Sequence, residues 1–224
     1  MKFSNIIDRE KLYDALTINP DLEISVKEVE GLQYCQVDNF LKSPEKAIKM
    51  LTKFPVLKGT VYVPGDRQNF NPSDIAPIVK GYSKILKQVG VDRNPTQFST
   101  SSIIANKNSK VWYNSWLPHV DAKLVVSLWL CEYNGGTAFY KPNRPEVQAE
   151  GFAQPQGKFD KTKLVPSQKF EGNEDWTLYH ILPTIYNTLY MYDGSNPHST
   201  YSTMHKDYRY SLQSFSYADT SKYT

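Results

Sequence analysis

Cysteine, histidine, long apolar runs and an excess of charge of one sign are all missing or scarce in this sequence. The two cysteines, Cys35 and Cys131, among 224 residues make a disulfide framework an unsuitable reading and fit a reducing compartment. No segment approaches the roughly 20 apolar residues that a membrane span requires. The opening stretch, MKFSNIIDREKLYDAL, has no apolar run after its lysine of the kind a secretory leader carries. A soluble, cytoplasmic protein that engages no membrane is therefore expected. Lys and Arg number 26 against 23 Asp and Glu, for a net charge of +3. That balance, without a dense basic run, gives no case for nucleic acid as a partner. The sequence does not indicate an oligomeric state.

What is present is apolar and aromatic material in ordinary amount, 40% and 13% with 16 tyrosines, enough for a large core and suited to strands with half-buried faces. The length suits one domain over 1–224: a helix-rich supporting part over 1–95 and a β core over 96–217 with a loop insertion at 141–175. In the first part, Asp8 is placed to cap a short helix ending near Leu16. Leu22–Val29 and Leu32–Val37 read as a hairpin turning at Glu30-Gly31. Ser43-Pro44-Glu45 opens a second helix with a cap, an N1 proline and an acid in the first turn. A third begins at Asn71-Pro72 or Ser73-Asp74, runs through Ile75, Ile78, Val79, Tyr82, Ile85, Leu86 and Val89, and stops at Gly90.

Beyond Pro95 the pattern turns to strands. Phe98–Ala105, Val111–Trp116, the apolar run Lys123–Tyr133, Thr137–Tyr140, Trp176–Leu182, Asn187–Tyr192 and Tyr208–Tyr217 give at least seven. Asn106 to Ser109 has turn composition. The stretch 141–175 is rich in Pro, Gln, Lys and Gly without periodicity, and reads as a long loop, functional or mobile. The class expected is α+β: helices supporting a closed or double-sheet β structure of jelly-roll type.

Only four histidines are available for chemistry: His119, His180, His198 and His205. In extended chain, residues two apart share a face, so His119 and Asp121 can converge on one ion while Val120 points away. An imidazole with a carboxylate suits Fe(II), Mn(II) or Zn(II) better than Ca(II), and a distant third ligand would complete a facial triad with open positions. His198 follows an apolar strand and a tight Asp-Gly-Ser-Asn-Pro turn, a good place for a site residue. His205, in the charged stretch Met204 to Asp207, is its rival. His180 lies in a strand-like run and reads as packed. On the last strand Arg209 and Ser211 share a face among aromatic neighbours. An inward guanidinium needs an anion, and its fork holds a carboxylate bidentately with help from a hydroxyl.

Together these residues resemble the 2-oxoglutarate/Fe(II)-dependent oxygenase superfamily, and among its members the prolyl-hydroxylase-like ones. The pattern is His119-Val120-Asp121, a long gap, His198, then Arg209-Tyr210-Ser211. The run Tyr34 to Leu41 before a helix, and Leu128 to Phe139 with its double glycine, are similar too. The resemblance implies a double-stranded β-helix (jelly roll/cupin-like) with supporting N-terminal helices. It implies Fe(II) held by His119, Asp121 and His198, with 2-oxoglutarate chelating the iron and its far carboxylate on Arg209 and Ser211. Tyr113 and Tyr133 are further candidates for 2-oxoglutarate, with Thr137 a weaker one; Trp112 and Trp116 are candidates for lining the substrate cavity. It implies hydroxylation of a C–H bond of a small molecule or a peptide or protein side chain, with O2 consumed and 2-oxoglutarate converted to succinate and CO2. Ascorbate is an optional reductant. Halogenating members lack the carboxylate that Asp121 supplies. The competing readings are a non-catalytic β-roll binding module and a cupin-like metal enzyme that does not use 2-oxoglutarate.

Overall fold

The structure, a computed structural model, describes residues 7–58, 66–91, 98–105, 110–113, 117–121, 123–132, 134–151, 160–166, 169–202 and 209–216; at 105, 110–113, 150–151, 160–166 and 202 only the backbone is described. Helix α1 (Arg9–Ala15) starts at Asp8, whose Oδ1 accepts the Lys11 N–H at 3.2 Å. Strands β1 (Glu23–Val29) and β2 (Leu32–Asp38) form the expected hairpin. Its turn has positive φ at both Glu30 (50°) and Gly31 (88°), the geometry that matches the twist of a two-residue hairpin. Helix α2 (Pro44–Leu51) follows, with the proline at its start but no side-chain cap bond from Ser43.

Strand β3 (Asp66–Phe70) was not anticipated; Gln68 and Phe70 are buried on one face, but polar residues occupy both faces, so alternation gives no signal. Helix α3 (Ala76–Gln88) begins later than the sequence suggested. Asp74 is occupied instead with the backbone and side chain of Asn71, both at 3.2 Å, a local alternative to capping. Gly90 ends the helix at φ +82°.

The remaining strands are β4 (Phe98–Ala105), β5 (Lys110–Tyr113), β6 (His119–Val120), β7 (Leu124–Trp129), β8 (Gly135–Pro142), β9 (Glu150–Gly151), β10 (Asp160–Pro166), β11 (Trp176–Pro183), β12 (Thr188–Tyr192), β13 (His198–Ser202) and β14 (Arg209–Ser216). The stretch 141–175 is thus not all loop. It holds β9, which pairs in parallel with β6, and β10, which forms a two-stranded ribbon with β5. A two-residue strand and an isolated ribbon leave no sustained pattern for a sequence reading to catch. The turn expected at Asn106 to Ser109 lies outside the described residues.

Two sheets face each other. One has seven strands in the order β1-β2-β12-β7-β14-β4-β3, the other five in the order β11-β8-β13-β6-β9. From β4 to β14 the chain crosses repeatedly between them, which is the double-stranded β-helix expected from the sequence. Strand alternation sorts the large sheet's side chains. Val126, Leu128, Leu189, Met191, Tyr210 and Leu212 face outward and pack under the helices with Leu12, Phe40, Ile78, Tyr82 and Ile85. Val125, Trp129, Tyr190, Tyr192 and Phe215 face inward, against Phe139 and Leu182 of the small sheet. The helices therefore seal the outer face and leave the space between the sheets for the site. None of the described helices is long and apolar enough to cross a membrane.

Candidate metal centre between the sheets

His119 and His198 are brought together by strand pairing. They stand opposite each other in the β6–β13 register, and directly opposed residues share a face. Phe139 flanks His198 on its other side, so the two imidazoles and a phenyl ring form a row across the small sheet. Asp121, just past β6, is tied by its backbone N–H to the Gly194 carbonyl at 2.8 Å. That contact links the carboxylate to the turn that presents His198. The turn holds itself: Asp193 Oδ1 accepts the Ser195 N–H at 2.8 Å, and Asn196 Nδ2 donates to the Asp193 carbonyl at 2.9 Å.

The ligand atoms of His119, Asp121 and His198 all lie within 4.8 Å of one another, so these three side chains can hold a metal ion. Asp121 Oδ2 is 3.2 Å from His198 Nε2 and 3.8 Å from His119 Nε2. The opposite ring edges are anchored. His198 Nδ1–H donates to the Asn196 carbonyl at 2.8 Å, and His119 Nδ1 lies 3.5 Å from the Leu117 carbonyl, a longer contact of the same kind. Such second partners fix the tautomer and leave Nε2 as the ligand atom. Burial, reinforced by the neighbouring His198, pushes the His119 imidazole down to about 4, so it is neutral and a competent ligand at pH 7. Burial alone would raise the Asp121 carboxyl. The His198 hydrogen bond and the charges of His119, His198 and Arg67 outweigh it and hold Asp121 below its ordinary value.

Beside the triad lies a second group of polar side chains. Arg209 is buried, with its guanidinium carbon 4.6 Å from the Trp129 ring centre. Ser211, two residues on and fully buried, pairs in register with Trp129. Ser211 Oγ, Trp129 Nε1 and Tyr190 OH are buried with no hydrogen-bond partner among the described residues. Buried polar atoms without partners are costly unless a guest satisfies them. Thr137, two residues before the inward Phe139 on β8, is buried and shares its face, which places it at the edge of this interior rather than in solvent.

His180 is packed, as the sequence suggested, and also re-aimed. A register shift between Leu178 and His180 puts Leu178 opposite Tyr140 and His180 opposite Phe139, on the other face. His180 thereby reaches the interior, 5.5 Å from the Tyr34 ring, with Nε2 buried and unpartnered among the described residues. Neither the bulge nor the inward Trp129 and Tyr190 hydroxyl and indole groups were read from sequence; apolar neighbours made them look like core. Cys131 is half-buried and Cys35 buried, and both are free thiols. Tyr133, Trp116 and His205 lie outside the described residues, and of Tyr113 and Trp112 only the backbone, in β5, is described.

The class that fold and site define is a double-stranded β-helix with two histidines and a carboxylate converging between its sheets. By sequence the chain belongs to the family described as "Family of unknown function (DUF6445)", whose model matches residues 19–213. No curated protein matches it. Among solved structures, the fold is similar to an oxidoreductase of the 2OG-Fe(II) oxygenase family from Burkholderia pseudomallei, at TM-score 0.50 and 11% identity over 96% of this chain and 92% of that one. A prolyl hydroxylase from Trichoplax adhaerens, in complex with a hypoxia inducible factor peptide fragment, matches at TM-score 0.49 and 12% identity over 82% of each chain. A Pseudomonas putida prolyl-4-hydroxylase matches at TM-score 0.46 and 11% identity over 82% of this chain and 91% of that one. The shared feature with the first of these is the fold.

Proposed function

We propose that the protein is an Fe(II)- and 2-oxoglutarate-dependent dioxygenase that hydroxylates a C–H bond of its substrate. The observation that carries this reading is the pair of imidazoles, each with Nδ1 turned to a backbone carbonyl and Nε2 turned to the Asp121 carboxylate. Two histidines and one carboxylate with further positions open is the donor set of non-haem iron oxygenases. Ser211 Oγ, without a partner among the described residues, beside the buried Arg209 fits a carboxylate guest.

His119, Asp121 and His198 hold the iron in this reading. Arg209 and Ser211 receive the far carboxylate of 2-oxoglutarate, and Trp129 and Tyr190 wall it. Bound iron and 2-oxoglutarate would together supply O2 activation, coupling hydroxylation of the substrate to conversion of 2-oxoglutarate to succinate and CO2. The chain's own contribution is placement and dryness. Val125, Trp129, Phe139, Leu182 and Tyr192 line the space between the sheets with buried apolar surface that limits water at the centre, and the neutral His119 leaves its lone pair available. Asp121 fills the position that halogenation would need for halide, which favours hydroxylation. Free thiols at Cys35 and Cys131, and an iron(II) site, suit a reducing cytoplasm.

Anaerobic addition of Fe(II) and 2-oxoglutarate is expected to give a weak visible charge-transfer band, absent in His119→Ala. Aerobic incubation should then release succinate. A protein that gives no band and no succinate, or a His119→Ala variant that keeps both, overturns the reading. Succinate release that survives Arg209→Ala at wild-type 2-oxoglutarate affinity favours a metal enzyme that does not use 2-oxoglutarate as assigned here.

A further inference from the structure

A second guanidinium faces the same interior from the opposite side. Arg67 lies on β3, where Gln68 and Phe70 turn toward the helices. Gln68 Nε2 donates to the Leu51 and Phe54 carbonyls at 3.0 and 2.8 Å, and Phe70 packs in the core under the helices. Alternation therefore sends Arg67 to the inner face. Cross-strand register puts it in one row with the site: Arg67 opposite Ile103, Ile103 opposite Ser211, Ser211 opposite Trp129. Two strand spacings, about 10 Å, separate the Arg67 strand from the one that carries Ser211. The Arg209 guanidinium leans away from Arg67, over Trp129 on the far side of β14.

Arg67 is half-buried, and among the described residues its side chain makes a long hydrogen bond, Nη1 to Ser101 Oγ at 3.4 Å. Burial disfavours its charge, and the Asp121 carboxylate is near enough to restore part of it. The inner face of the large sheet thus carries two arginines, Arg67 on β3 and Arg209 on β14, the second leaning away from the first. One of these is assigned to 2-oxoglutarate above. Among the described residues the side-chain bond of the other, partly desolvated guanidinium goes to a neutral hydroxyl, and Asp121 offsets only part of the cost of burial; an incoming anion would offset more.

We propose that Arg67 binds a carboxylate of the substrate to be oxidised, so that the enzyme acts on an acid rather than a neutral compound; this rests on the oxygenase reading. Arg67 would hold the substrate's anion on the β3 side of β14, away from the Arg209 guanidinium over Trp129. The two anionic reactants are then kept apart by their own arginines.

The test uses ligand-observed NMR on the full chain loaded with Zn(II) and 2-oxoglutarate, so that no turnover occurs. The probes are matched pairs: free L-amino acids against their primary amides, and capped peptides with an internal Glu against the same peptides with Gln. At least one carboxylate probe is expected to bind about tenfold or more tightly than its amide. The first set identifies a free acid, the second an acidic side chain. Arg67→Gln should abolish the preference and leave 2-oxoglutarate affinity within about twofold; Arg67→Lys should retain part of it, and decides the matter if the glutamine variant fails to fold. No preference in the wild type overturns the proposal. So does a preference unchanged in both variants. Loss of Zn(II) affinity in Arg67→Gln, with the preference intact, would make Arg67 a positioning residue for Asp121. Failure of the wild type to bind 2-oxoglutarate overturns the oxygenase reading itself, and is read separately.

Discussion

His198 and His119 face each other across a pair of neighbouring strands, with ring centres 4.7 Å apart, although 79 positions separate them in the sequence numbering. Strand register, rather than a flexible loop, sets the distance between these two imidazoles. Removing either leaves only two of the three ligands. Because lost second partners of metal ligands already cost 10–100-fold in affinity, His119→Ala and His198→Ala should each weaken Co(II) or Fe(II) binding by about 100-fold or more. Metal titration followed by absorbance checks this, and far-UV circular dichroism should stay at wild type.

Arg209 carries the second requirement of the proposed chemistry. Arg209→Lys retains a charge but loses the planar fork that matches a carboxylate. Its affinity for 2-oxoglutarate is expected to fall by about tenfold, and that of Arg209→Met by about 100-fold or more. Metal binding should be unchanged in both. Equilibrium titration of 2-oxoglutarate into Zn(II)-loaded protein measures the difference.

In the metal-free protein, stability should decline as pH falls from about 6.5 toward 4. The His119 imidazole is held down to about 4 in the folded chain against an ordinary value of 6.5. Over that interval the unfolded state takes up a proton that the folded state refuses, so acid favours unfolding. Asp121, also held low, adds to the loss as its carboxyl is protonated at still lower pH. The His119 contribution is on the order of 3 kcal/mol. Thermal midpoints across this range should flatten in His119→Asn; an equally steep profile in that variant would assign the effect elsewhere.

Cys35 should resist thiol reagents. Burial pushes its thiol up to about 11, which leaves on the order of one thiolate in a thousand at pH 8. Only the half-buried Cys131 is then expected to react in the native protein with a chromogenic disulfide, and Cys35 only after denaturant. Stoichiometric release of one equivalent, then two, is the readout.

Gly136 has no room for a side chain, because a Cβ there would run into the Leu182 carbonyl across the β8–β11 pair. Gly136→Ala should cost about 2–4 kcal/mol, seen as a lowered urea midpoint. Gly31, with open space around the same position, should tolerate more volume, limited only by its positive φ.

The parts of this site that could be read from sequence are those whose geometry is local. His119 and Asp121 share a face because they are two apart in extended chain, and Arg209 and Ser211 do so for the same reason. His198 is marked by its turn. What could not be read depends on pairing between distant segments. Arg67 sits in a strand polar on both faces, and only its register with Ile103 and Ser211 places it in the interior. His180 is turned inward by a one-residue shift that no periodicity predicts. The strands within 141–175 are too short or too isolated to have a pattern. The late start of the third helix reflects a local competition, in which Asp74 bonds back to Asn71 instead of capping.

Strand β14 has a consequence for assembly. It lies between β7 and β4 in the large sheet, and these two meet only through it. A chain synthesised as far as Ser202 has both histidines of the candidate metal centre and Asp121 but leaves β7 and β4 with bare hydrogen-bonding edges, the kind of template that recruits other chains. Pairings such as Leu212 with Ser102 span more than a hundred residues, and closing such loops is slow. The growing polypeptide must therefore be protected for longest at its two inner edges. The same late strand brings Arg209 and Ser211, so the pocket assigned to 2-oxoglutarate is completed in the step that closes the sheet.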